Sequence, residues 1–133
     1  MDRNIYTELI NRASKVKENA YVPYSGFQVG AALLTTNGKI YTGCNIESAS
    51  YTPTICAERT AIFKAVSEGD REIEAIAVIG DAEYTFPCGV CRQVIREFGK
   101  DIKIIIGKSE EEYKVFTLDQ LLPNSFGPED LEQ

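Results

Sequence analysis

A chain of 133 residues, 44% apolar and 26% charged, can bury one continuous core, and a single domain over residues 1–133 is expected. The net charge of −6 works against a polymeric nucleic-acid partner, and no apolar run is long enough to span a bilayer. Residues 1–20 mix both charge signs without a long apolar stretch, unlike a secretory signal peptide, so a reducing, cytoplasmic setting is expected.

In chain order, Ile5, Leu9, Ala13, Val16 and Ala20 mark one face of a helix over 4–20, which "VPYSG" interrupts. "FQVGAALLT" reads as a buried strand, "TNGK" as a tight hairpin turn and "IYTGCNI" as the returning strand. The loop "ESASYTPT" leads into the helix "CAERTAIFKAVSE", packed through Ala57, Ala61, Ile62, Ala65 and Val66 and stopped at Gly69. "EIEAIAVIG" is a third strand. "CGVCRQVIREF" is a helix ending at Gly99, "DIKIIIG" a fourth strand and "YKVFT" a fifth. Thr117 caps a short helix, "LDQLL", ended by Pro123, and the tail "NSFGPEDLEQ" looks too polar to hold itself in place. The order αββαβαβ, extended by "YKVFT" as a fifth strand and the short final helix, gives an α/β fold: a mixed five-stranded sheet with helices on both faces.

The chemistry concentrates in four cysteines, Cys44, Cys56, Cys88 and Cys91, in a chain without histidine. That absence removes every mechanism built on a histidine base or ligand. Cys88 and Cys91 lie three apart in a first helical turn, so both sulfurs face one side, and Cys56 opens another helix. If the two helix N-termini face each other, three thiolates converge, helped by the partial positive charge of both ends. Three thiolates around one zinc ion leave an excess of negative charge, which Arg59, Arg92 or both can offset by hydrogen bonds to sulfur. Three ligands also leave a fourth zinc position open for catalysis, and Glu58, two residues from Cys56, is placed to handle a proton there.

"CAERTA" followed by "PCGVCRQ" resembles the signature of the zinc-dependent nucleoside deaminases, in the variant with three cysteines. "YVPYSGFQVGAALLTTNGKIYTGCNIESASY" is similar to the N-terminal half of cytidine deaminases, and "LLPNSFGPEDL" to their C-terminal end. The resemblance implies one zinc ion per chain on Cys56, Cys88 and Cys91, with Glu58 as proton shuttle. It places Asn45 and Glu47 on the ribose hydroxyls, Phe27 against the pyrimidine, and Ala57 among the substrate-binding residues. It further implies a homotetramer in which Tyr51 and Phe126 reach a neighbouring subunit's site. The implied reaction is hydrolytic deamination of cytidine and deoxycytidine, a step of pyrimidine salvage, with a small nucleoside as substrate.

Other readings stay open at this stage. An aminonucleoside-antibiotic deaminase shares the pattern around the zinc. A closed four-cysteine zinc module would recruit Cys44, which otherwise reads as an ordinary buried residue, and "CGVC" alone would suit a redox dithiol.

Overall fold

The computed structural model describes residues 3–131. Helix α1 (Arg3–Lys17) is followed by the hairpin β1 (Val29–Thr35) and β2 (Ile40–Cys44), then α2 (Ala57–Ser67), β3 (Ile73–Gly80) and α3 (Gly89–Arg96). Strands β4 (Lys103–Gly107) and β5 (Tyr113–Thr117) lead to the short α4 (Leu118–Leu121) and a final 3₁₀ turn, Pro128–Leu131. The five strands form one sheet in the order β2-β1-β3-β4-β5. Within that sheet only the β3–β4 pair is parallel, as its crossover through α3 requires.

Strand alternation sends side chains to two cores. Ala31, Leu33, Ile76, Ile104 and Ile106 face α2 and α3, where they meet Ala57, Ala61, Ile62, Ala65 and Ile95. Their neighbours Ala32, Leu34, Ala75, Ala77 and Ile105 point to the opposite face, onto Leu9, Ile10 and Ala13 of α1. Bulk is therefore traded across the layers. Beneath α2 the strands supply it and the helix is mostly alanine; beneath α1 the helix supplies it and the strands thin to alanine. Each fully buried isoleucine or leucine contributes about 1.5–3 kcal/mol.

Three local differences from the sequence reading have physical causes. The first helix stops at Lys17 because the N–H groups of Glu18, Asn19 and Ala20 turn back three residues, to Lys15, Val16 and Lys17. Strand β1 begins at Val29 rather than at Phe27, whose N–H goes to Ser25 Oγ and whose carbonyl accepts from Asn45 Nδ2. The polar tail is held after all, by an ion pair between buried Arg96 and Glu129.

Close approach of α2 to β2 sets the position of the site. A Cβ on Gly43 would lie 2.5 Å from the Ala61 nitrogen and 2.7 Å from the Ala57 carbonyl, so only glycine lets the helix lie this near. Thr60 Oγ1 secures the contact, donating to the Cys44 carbonyl at 3.1 Å.

Candidate active site

Cys56 is the N-cap of α2 and Cys88 the N-cap of α3, both with extended backbone and neither used as a side-chain cap. Their sulfurs are thus free to point beyond the helix ends, where the unpaired amides favour thiolates. Cys91, one turn further along α3, is buried. The three Sγ atoms lie within 4.8 Å of one another, and Cys56 Sγ stands 3.7 Å from Cys88 Sγ. Tetrahedral zinc–thiolate bonds of about 2.3 Å require sulfurs about 3.8 Å apart. The donor set therefore fits a zinc ion in both chemistry and spacing. Cys44, at the end of β2, is outside the cluster, and burial raises its thiol pKa.

Charge around the sulfurs is unevenly spread. Hydrogen bonding from Cys91, with Arg59 and Cys88 adding to it, outweighs burial and brings Cys56 down to about 5. Cys91, bonded to that thiolate and itself buried, is pushed upward. A dication among the three sulfurs would reverse that preference. Arg59 Nη2 donates to Cys56 Sγ at 3.3 Å, while its buried Nε has no partner among the described residues. Arg92 takes no part in this offset, because it donates instead to the carbonyls of Pro87 and Leu121, both at 2.8 Å.

Glu58, in the first turn of α2, is only 3% exposed. Burial, reinforced by the Cys56 thiolate, raises its carboxyl to about 7, against the pull of its own backbone amide, Arg59 and Cys91. It opens on a cavity of about 160 Å³ shared with Asn45, Glu47, Cys56, Ala57 and Cys88. Backbone pairing brings these stretches together. Ile46 bonds in both directions to Ile55, next to Cys56, and Tyr21 pairs with Asn45 and Glu47 on the other side.

Asn45 and Glu47 also organise the chain beside the cavity. Asn45 Nδ2 donates to the Phe27 carbonyl at 2.9 Å, and its Oδ1 accepts from the Val29 N–H at 2.9 Å. Glu47 accepts the N–H groups of Tyr24 and Ser25 and the Ser25 hydroxyl, which holds its carboxyl below the usual range. Ser25 Oγ in turn accepts the Phe27 N–H. Tyr51, with a positive φ of 63°, lines an adjoining cavity of about 240 Å³ with Tyr24 and Glu47. Phe126 lies apart from both cavities. A larger cavity, about 410 Å³, lies between the β1–β2 turn and the α2–β3 loop. It contains no thiol, and its Asp70 is already bonded to Tyr41 and Asn37.

The sequence profile described as the cytidine and deoxycytidylate deaminase zinc-binding region matches residues 3–108. The chain belongs to the cytidine and deoxycytidylate deaminase family. It is 50% identical to a cytidine deaminase of Halalkalibacterium halodurans over 133 residues, 98% of either chain. Its fold matches the crystal structure of the Burkholderia pseudomallei cytidine deaminase with a TM-score of 0.84, at 46% identity, covering 90% of this chain and 97% of that one. The Mycobacterium tuberculosis cytidine deaminase matches with a TM-score of 0.82, at 37% identity, covering 96% and 98%. The α/β fold with a mixed five-stranded sheet is that of the deaminase family.

Sequence reasoning left out Thr85 and Phe86, which complete one wall of the cavity shared by Glu58 and the thiols. Their place just before the Pro87-Cys88 pair is the one signal that could have pointed to them. Thr85 Oγ1 is buried beside the cavity without a hydrogen-bond partner among the described residues.

Proposed function

We propose that the chain catalyses zinc-dependent hydrolytic deamination of cytidine and deoxycytidine to uridine and deoxyuridine with release of ammonia. The carrying observation is a cavity that brings the buried Glu58 carboxyl together with Cys56 and Cys88, whose sulfurs cluster with that of Cys91, and with two polar groups suited to a sugar edge. Cys56, Cys88 and Cys91 would hold one zinc ion per chain, whose Lewis acidity brings the ionisation of water to near neutral pH. Glu58 takes the proton released as water attacks C4 of the pyrimidine and delivers it to ring N3, which makes C4 electrophilic. It then takes the remaining proton from the new C4 hydroxyl and delivers it to the C4 amino group, so that the C4–N bond breaks, ammonia leaves and the C4 carbonyl forms. Arg59 keeps negative charge on the Cys56 sulfur from spreading into the site.

Asn45 and Glu47 would take the ribose hydroxyls with the hydrogen-bonding capacity left after their backbone contacts, Phe27 would pack on the base, and Ala57 would line its seat. Tyr51 and Phe126 are 75% and 58% exposed, which supports their insertion into a neighbouring copy and hence a homotetramer with shared sites. Among the described residues no helix is long and apolar enough to cross a membrane, in keeping with a cytoplasmic role in pyrimidine salvage by one domain.

The test is the ultraviolet absorbance change of cytidine with purified protein, with and without a chelator, beside a zinc count per chain. Chelator-sensitive conversion with one zinc is expected; a zinc-loaded protein that leaves cytidine and deoxycytidine untouched overturns the proposal. Cys44→Ala should keep the zinc, whereas a four-cysteine module would lose it.

A further inference from the structure

The C-terminal segment is fastened to the helix that carries Cys88 and Cys91, and a buried charge does the fastening. Arg96, on the last turn of α3, has a side chain only 3% exposed. Its Nη1 and Nη2 donate to the two oxygens of Glu129 at 3.1 and 2.8 Å, and its Nε donates to Ser125 Oγ at 2.7 Å. Gly127 lies flat on the guanidinium: a Cβ there would stand 2.2 Å from Nη1 and 2.3 Å from Cζ. One turn earlier, Gln93 Nε2 donates to the Phe126 carbonyl at 2.9 Å. Ser125, Phe126 and Gly127 are thus each fixed by α3, yet the Phe126 ring is turned outward.

A tail that only needed anchoring would bury its one large aromatic side chain. Here Phe126 stays exposed, and the segment instead covers the Arg96 guanidinium of α3, a desolvation that is costly unless the charge is matched. We infer that the Arg96–Glu129 clamp, seated on Gly127, is a positioning device that aims Phe126 into the cavity of a neighbouring copy of this chain. The inference rests on the reading of Phe126 given above. Because the clamp and two zinc-site cysteines share α3, each copy's metal helix also sets the aromatic it lends.

The chain contains no tryptophan, so Phe126→Trp supplies a single fluorophore at the point in question. In that background, Gly127→Ala and Glu129→Gln should shift emission to longer wavelength and raise KM. The kcat/KM is expected to fall about tenfold to a hundredfold, with zinc per chain and helical content unchanged. If Phe126→Ala lowers kcat/KM but neither clamp variant changes emission or KM, the clamp has no positioning role while the Phe126 reading stands. If Phe126→Ala changes nothing, both fail. A rise in KM matched by loss of zinc or of helical signal assigns the clamp to fold stability and also overturns the inference. Should Gly127→Ala not fold, Glu129→Gln, altering a half-exposed carboxylate, decides alone.

Discussion

Glu58 and Arg59 are neighbours at the start of α2 but work toward different atoms, one facing the cavity and one gripping Cys56 Sγ. Glu58→Gln keeps the shape and removes the proposed proton carrier. It should retain zinc while kcat falls by about 10²–10⁴ or more, read by steady-state assay beside metal analysis; turnover at the parent rate removes Glu58 from the chemistry. Arg59→Gln should lower activity about 10- to 100-fold at unchanged zinc content, and equal activity would show that the sulfur charge needs no offset. At this scale much is readable in the sequence. The spacing of Cys56, Glu58, Cys88 and Cys91 encodes first-turn positions on two helices, and those positions dictate direction. What spacing cannot encode is competition for hydrogen bonds. Arg92 is as near a cysteine in sequence as Arg59, but the carbonyls of Pro87 and Leu121 take it. The backbone duties of Asn45 and Glu47 are hidden for the same reason, since their partners lie 16 to 23 residues away.

Among the elements, α2 matters most because its N-terminus supplies Cys56, Ala57 and Glu58 at once. Gly43→Ala would push a methyl group into the Ala61 nitrogen and the Ala57 carbonyl. Overpacking of this kind costs about 1–3 kcal/mol. A lower melting temperature is expected, with weaker zinc retention against a competing chelator, because α2 must lift away from β2. An unchanged melt and unchanged retention would mean that the sheet absorbs the methyl elsewhere. The strands are legible from apolar runs and the Asn37-Gly38 turn, and the helices from alanine and isoleucine spacing. Element ends are less so. Phe27 reads as strand by composition, yet Ser25 and Asn45 take its backbone groups, and composition carries no trace of that.

For the molecule as a whole, the tail shows how far composition can mislead. A polar stretch is expected to stay loose, and one buried arginine on α3 holds it. The Arg96 guanidinium keeps the Glu129 carboxyl at about 2, below its ordinary 4.5. A depressed carboxylate stabilises the fold fully above its unfolded value and ceases to do so as pH falls through the folded one. The gap in melting temperature between the parent and Glu129→Gln should therefore be present at pH 7 and close between about pH 4.5 and 2. Because Glu129 is half exposed, the gap will be small, and it should shrink in high salt. A gap that persists at pH 2 would trace the effect to lost packing. The two-sided core carries a consequence for assembly of the chain itself. An α2 docked where α1 belongs would set alanine on alanine and leave hollows, while α1 on the other side would crowd leucine against isoleucine. The paired relief of ridge and recess acts as a lock that rejects exchanged helices, so correct threading is selected by shape before any metal or nucleoside arrives.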